Sequence, residues 1–298
     1  MDLQRAFLRF HRSIKQDDNA TLREKRERVL TRLQGSTPYR FRVFNQGGYK
    51  LGTGVKPVGD REYDIDVGLV LDIHVDDFSP IVVKDWVFRA VQPHTKRVQF
   101  RRPVVTVHYV GTPNPFHVDL AIYGEDDDGD RYLAVGRRNS QDSEVYWQRS
   151  SPQALTDEIR SAFEDAEDWK QFQRVVRYLK RWKHHQFPAA GNAAPPGIGL
   201  TLAAYHWFEP ADEDYDALVE LVDAMRGQFS GFFRRRLSVE VPVAPHDDPF
   251  ERMSDRQMER FESKLETLSA RLDRAERSTR TATRSLRAAF GPDFPEVR

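Results

Sequence analysis

The chain contains no cysteine. That absence excludes disulfides, thiolate zinc sites, iron–sulfur clusters and a cysteine nucleophile, and it fits a reducing compartment. Net charge is missing as well, since 46 Lys and Arg balance 46 Asp and Glu. No bulk field therefore draws the molecule to nucleic acid or acidic lipid, and any polyanion site must be local. Long hydrophobic runs are absent too. The stretch from His184 to Phe208 is free of Lys, Arg, Asp and Glu, but Pro188, Pro195, Pro196 and several glycines interrupt it. It cannot be a continuous membrane-spanning helix. The opening Met-Asp-Leu-Gln-Arg has no apolar h-region, so a cytoplasmic protein with no membrane partner is expected.

What is present is ample material for a core. The 298 residues are 39% hydrophobic and include 19 Phe, 10 Tyr and 5 Trp, far from the balance that keeps chains disordered. This length suits one large or two ordinary domains.

Residues 1–34 read as a helical lead-in, with Leu3, Phe7, Phe10 and Ile14 at helical spacing. Arg42 to Phe44 is strand-like and runs into a glycine-rich turn, Asn45 to Gly54, with room for a short helix. Tyr63 to Ile73 alternates and then becomes continuously apolar, as a strand entering a sheet centre does. Ser79 to Val91 is expected to be helical. Arg102 to His108 and Phe116 to Tyr123 are two further strands, suited to antiparallel pairing around the turn Gly111 to Pro115. An exposed acidic turn follows at Glu125 to Asp130. After Asp142 the chain is expected to be helical. Asp168 to Phe187 forms a basic amphipathic helix, Ile198 to Phe208 a more buried one, and Met258 to Ala275 lies within a long final helix docked on the body.

Three aspartates carry the chemistry. Asp64 and Asp66 lie two apart on a strand, so both carboxylates leave one face a few ångströms apart. Divalent cations satisfy such a pair, and two ions held by shared carboxylates clamp the attacking and leaving oxygens of a phosphoryl displacement. The alternative is an exposed strand with two solvated aspartates. Asp119 lies among aliphatic residues in Phe116 to Tyr123, where an unpaired carboxylate is expensive. If its strand neighbours that of Asp64, all three converge. His117 shares the face of Asp119, either beside the metal ligands or as a hydrogen-bonded structural residue. Gly47 and Gly48 let the backbone approach a ligand, and a helix starting there aims N–H groups at phosphate oxygens. Lys180 on the basic helix can neutralise a triphosphate, the alternative being a solvated surface lysine. Arg101, Arg102 and the run Arg234 to Arg236 are further candidate anion contacts, with a solvated face as the alternative.

Gln46-Gly47-Gly48-Tyr49-Lys50-Leu51-Gly52-Thr53-Gly54, followed by Asp64-Ile65-Asp66 and Val118-Asp119-Leu120, resembles the polymerase-beta-like nucleotidyltransferase superfamily. Within it the chain is most similar to the bacterial cGAS/DncV-like nucleotidyltransferases of CBASS anti-phage systems. Arg174 to Trp182, Gly199 to Leu202, Val241 to Pro245 and Leu286 to Pro295 resemble segments of that family's helical lobe. The resemblance implies an α+β fold with a sheet lobe, a helical lobe and the active site in the cleft between them. Residues 1–145 would form the nucleotidyltransferase core with its N-terminal helix, able to bridge both lobes, and 146–298 the helical lobe. It implies two Mg²⁺ ions, with Mn²⁺ as an alternative, and the joining of ATP and/or GTP into a cyclic di- or trinucleotide. Asp64, Asp66 and Asp119 would be catalytic and metal-binding, and Gln46, Gly47, Gly48 and Lys180 nucleotide-binding. A downstream effector reached through the product and accessory proteins of the defence system would be the partners. One departure matters: the family usually carries Gly-Ser where this chain has Gly47-Gly48, so a backbone N–H must replace the serine hydroxyl. Neutral net charge gives no support to a nucleic-acid activator. Linear oligoadenylate synthesis, nucleotide transfer to protein or RNA, and a catalytically silent nucleotide-binding module are the alternative functions.

Overall fold

The computed structural model describes residues 1–16, 20–59, 61–110, 115–188, 193–230 and 236–298. Two large hydrophobic cores organise the described residues. The first lies between a seven-stranded sheet and two helices. In chain order the sheet elements are β1 (Phe41–Asn45), β2 (Tyr63–His74), β3 (Arg97–Phe100), β4 (Val105–Tyr109), β5 (Phe116–Glu125), β6 (Arg131–Val135) and β7 (Tyr146–Arg149). The strand order is β1-β2-β5-β4-β3, with β6 on β5 and β7 on β6. Among the described residues, only β2 and β5 pair in parallel.

The helices are α1 (Leu3–Ile14), α2 (Ala20–Gln34), α3 (Gly47–Lys50), α4 (Pro80–Val91), α5 (Pro152–Ser161), α6 (Ala166–Gln186), α7 (Gly197–Trp207), α8 (Asp214–Gly227), α9 (Asp255–Ala275) and α10 (Thr279–Phe290). Ile65, Val67, Leu69 and Leu71 of β2 pack with α2 and α4 in the sheet core. Because strand side chains alternate, Asp64, Asp66, Gly68 and Val70 point to the other face. The second core is helical, and Phe7 and Phe10 of α1 pack there against Tyr178, Phe290 and Phe294, Phe10 stacking on Tyr178 and the other pairs tilted or edge-on.

Several expectations need correction. The chain after Asp142 is not at once helical, because β7 intervenes before α5; four residues are too few to display alternation. The sheet therefore runs past residue 145, while α1 packs in the helical core and α2 in the sheet core. The helix with the Met258 to Ala275 stripe is not the last. Ser278 accepts a hydrogen bond from Thr281 N and starts α10. β4 begins at Val105 rather than Arg102, since Pro103 cannot donate to a ladder and the buried Lys84 ammonium donates to the Arg101, Arg102 and Gly136 carbonyls, each at 2.7 Å. β3 and β6 were not foreseen. Residues 111–114 of the expected turn lie outside the described residues. Among the described residues, no helix is long and apolar enough to cross a membrane.

Candidate active site

The parallel register of β2 and β5 sets Asp66 opposite Asp119 and Asp64 opposite His117. The three aspartates thus share one face of two central strands. On the other side of β5, the antiparallel register sets Thr106 opposite Asp119 and His108 opposite His117. Thr106 Oγ1 donates to Asp119 Oδ1 at 2.5 Å. His117 Nε2 lies 3.2 Å from Asp64 Oδ1 and 3.9 Å from Asp119 Oδ2. Its Nδ1 lies 2.9 Å from Glu62 Oε2, which is also 2.7 Å from His108 Nδ1.

Crowded carboxylates resist ionising together. Burial, with the charges of Asp64 and Asp119, holds the Asp66 carboxyl well above its usual range. Burial and Asp64 push Asp119 up to about 6, against the pull of His117 and Thr106. Burial pulls His117 down, but the hydrogen bond to Asp64 and the charges of Asp64, Asp119 and Glu62 outweigh it and raise the ring to about 9. Among the described residues, no cationic side chain reaches Asp66 within ion-pair distance. Such a hard-oxygen donor set with unbalanced negative charge fits divalent cations.

Across from the carboxylates stands the glycine turn. Gly47 has φ +65°, and a Cβ there would sit 2.1 Å from Asp66 Oδ2. Only glycine allows this approach. Gly47→Ala should cut the activity of this site by roughly a hundredfold, the scale of a 1 Å misplacement of reacting groups; comparing activity with Tm separates this from unfolding. Gly47 and Gly48 open α3, whose first-turn N–H groups have no acceptor within the helix. Gln46 donates its backbone N–H to the Asp66 carbonyl at 3.2 Å, and its side-chain oxygen accepts from the Tyr123 hydroxyl at 2.9 Å.

The basic face of α6 does more than meet solvent. Gln173 donates to the Leu51 carbonyl at 2.7 Å, Arg177 to the Gly52 carbonyl, Lys180 to Thr53 Oγ1 at 2.8 Å and Arg181 to the Lys56 carbonyl at 3.3 Å. Gln173, Arg177 and Arg181 lie four apart and Lys180 three from Arg177, so all four share one broad helical face. They clamp residues 51–56, and with them the glycine turn, to the helical lobe. Lys180 Nζ would be 3.4 Å from a Cβ at Gly48. Burial and the Lys183 charge lower Lys180 to about 7, while burial and Arg61 lower Lys183 to about 8. The cleft is therefore rich in cationic groups short of counter-charge, opposite the carboxylates.

All seven expected site residues lie around this cleft. Of the other candidate anion contacts, Arg101 reaches the site through its charge, which helps to lower Asp119. Arg101 Nε donates to Gln99, Arg102 to the Tyr146 hydroxyl, and Arg236 to Asp255 and the Met253 carbonyl. Arg234 and Arg235 lie outside the described residues. Thr53, Glu62, Thr106 and His108 were missed, although the polar Thr106 and His108 alternating within Val-Thr-Val-His-Tyr were a signal.

Residues 41–123 match the nucleotidyltransferase domain of the cyclic GMP-AMP synthase DncV-like family. Two relatives point the same way. A cyclic GMP-AMP synthase of Escherichia albertii is 25% identical over 188 residues, covering 58% of this chain and 39% of that protein. The c-di-GMP synthase of Roseivirga ehrenbergii is 22% identical over 235 residues, covering 69% and 59%. The chain is thus similar to the DncV-like nucleotidyltransferases over the strands that carry its three aspartates. It spans less than two thirds of the length of either relative. The α+β fold of a DncV-like nucleotidyltransferase is equally clear in three dimensions. The Bradyrhizobium diazoefficiens CD-NTase CdnG in complex with GTP superposes with a TM-score of 0.75 at 15% identity, over 96% of this chain and 94% of that one. The 3′-deoxy GTP bound form of Escherichia coli DncV gives 0.75 at 16% identity, over 95% and 93%.

Proposed function

We propose that this chain is a Mg²⁺-dependent nucleotidyltransferase that joins ATP and/or GTP into a cyclic oligonucleotide, a cyclic dinucleotide such as cyclic GMP-AMP, for bacterial anti-phage signalling. The observation that carries this reading is the in-register set of Asp64, Asp66 and Asp119 opposite a glycine turn backed by Lys180. The names of the two relatives support the product class.

In this reading Asp64 and Asp66 would hold both cations and Asp119 would complete the set. Two divalent cations, when bound, supply positive charge at the attacking and leaving oxygens. The triphosphate lies along the Gly48 amide and the Lys180 ammonium, which orient it. A ribose hydroxyl of the second nucleotide bonds to the α-phosphorus, the bond from that phosphorus to the β-phosphate bridging oxygen breaks, and pyrophosphate leaves. The Asp119 carboxylate accepts the hydroxyl proton, a role its elevated pKa suits. A second transfer within the linear intermediate closes the ring. The product would act on a downstream effector, with accessory proteins of the same defence system as further partners.

Pure protein given Mg²⁺ and the four NTPs should yield a phosphatase-resistant product whose bases mass spectrometry identifies. A phosphatase-sensitive product would replace the cyclic reading by a linear one. Label on protein or RNA would indicate transfer, and no product under varied metal and pH would indicate a silent nucleotide-binding module.

A further inference from the structure

The histidine within the carboxylate cluster has a geometry that three metal-binding aspartates do not require. His117 Nε2 lies 3.2 Å from Asp64 Oδ1 and 3.9 Å from Asp119 Oδ2. Ligand atoms of Asp64, His117 and Asp119 all fall within 4.8 Å of one another, close enough to converge on one cation. The far side of the ring is fixed. Glu62 Oε2 is 2.9 Å from His117 Nδ1 and 2.7 Å from His108 Nδ1, and His108 Nε2 is 3.0 Å from Gln99 Oε1. An ionised carboxylate only accepts hydrogen bonds, so both Nδ1 atoms carry protons. In the neutral ring the lone pair then sits on Nε2, directed at Asp64 and Asp119. A carboxylate behind a histidine, fixing tautomer and ring plane, is the arrangement that orients imidazole on a metal ion. His108 is 2% exposed, which anchors the pair on β4.

We propose that His117 is a direct ligand of the cation held by Asp64 and Asp119, with Glu62 and His108 as positioning residues that fix its tautomer. One metal position then has a mixed oxygen and nitrogen donor set. The inference rests on the nucleotidyltransferase reading for the presence of a cation, and on the geometry for the role of the ring. The cation displaces the Nε2 proton that the carboxylates otherwise favour. Metal choice follows, because Mg²⁺ prefers all-oxygen surroundings whereas imidazole suits transition-metal ions.

The test uses the full chain without nucleotide, titrated with Mn²⁺ and followed by continuous-wave and pulsed electron paramagnetic resonance. Wild type should show bound Mn²⁺ with a directly coordinated ¹⁴N coupling. His117→Gln should retain Mn²⁺ at affinity lowered at least tenfold and lose that coupling. Glu62→Gln should keep the coupling and weaken Mn²⁺ binding 10- to 100-fold, the usual effect of removing the partner behind a ligand. The ratio of Mn²⁺ to Mg²⁺ affinity, measured by competition, should fall in His117→Gln. Bound Mn²⁺ with oxygen ligands alone, or a nitrogen coupling that survives His117→Gln, would overturn the proposal. If wild type makes product but its bound Mn²⁺ shows no nitrogen, the ligand role alone fails. Neither Mn²⁺ binding nor product would sink the proposed function with it.

Discussion

Replacing Asp66 with Asn should lower nucleotide joining by on the order of 10³-fold or more, because a shared metal ligand and the charge it places are both lost. The same substitution should make the metal-free protein more stable. Asp66 is held well above the carboxylate range by burial and two like charges, so burying it at a pH where the unfolded chain ionises it freely costs folding energy that Asn does not. The pH dependence follows with a definite sign. Asp119 titrates at about 6 rather than 3.8, and His117 at about 9 rather than 6.5. Both bind protons more tightly in the folded chain than in the unfolded one. Stability of the metal-free protein therefore falls as pH rises, between 3.8 and about 6 through Asp119 and between 6.5 and about 9 through His117. The Asp119 window is worth roughly 3 kcal/mol at 1.36 kcal/mol per pH unit, or several degrees in Tm for a chain of this size. Calorimetry in EDTA should show this fall, millimolar Mg²⁺ or Mn²⁺ should reverse it at neutral pH, and Asp119→Asn should remove the lower window. A metal-free Tm that rose from pH 4 to pH 6 would contradict the carboxylate arrangement.

The largest stability loss is expected far from the cleft. Asp214, fully buried, receives Arg174 Nε and Nη2 at 2.8 Å each, and the Tyr178 hydroxyl lies 2.8 Å from its Oδ2. Its backbone N–H donates to Gln4 Oε1 at 2.8 Å. One aspartate thus joins α1, α6 and α8 through its backbone N–H and its carboxylate. Arg174→Met leaves it charged and without its cation, which costs about 3–5 kcal/mol and should lower Tm by roughly 10 °C. Arg174→Met combined with Asp214→Asn should recover much of that loss, since no buried charge remains. Thermal unfolding of both variants decides it; a double variant no more stable than the single one would mean that Asp214 acts through packing and not through charge.

Arg174 shows where reading along the chain stops. Its place on a basic amphipathic helix was legible, because Trp169, Phe172, Val175, Val176, Leu179 and Trp182 mark the apolar stripe. The remaining face looked like solvated charge. Instead Arg177 and Arg181 are 5% and 4% exposed and clamp a loop more than 120 residues earlier in the chain. A guanidinium among polar neighbours has the same sequence signature whether water or a distant carbonyl accepts its hydrogen bonds. Short edge strands such as β7 were lost for a related reason, since four residues in register with a neighbour need no periodicity of their own.

The sequence by itself determined the local terms: a period of two that puts Asp64 and Asp66 on one face, glycines at 47 and 48 that admit close approach, an aliphatic setting for Asp119, and the ordered segments that carry the resemblance to a known family. Those depend on neighbours within a few residues. The tertiary structure alone decided that β2 and β5 run parallel with Asp66 beside Asp119, that Glu62 and His108 stand behind His117, and that Thr53 meets Lys180. Each of these joins groups distant in the chain, and a buried polar group takes whichever partner the completed packing brings within reach.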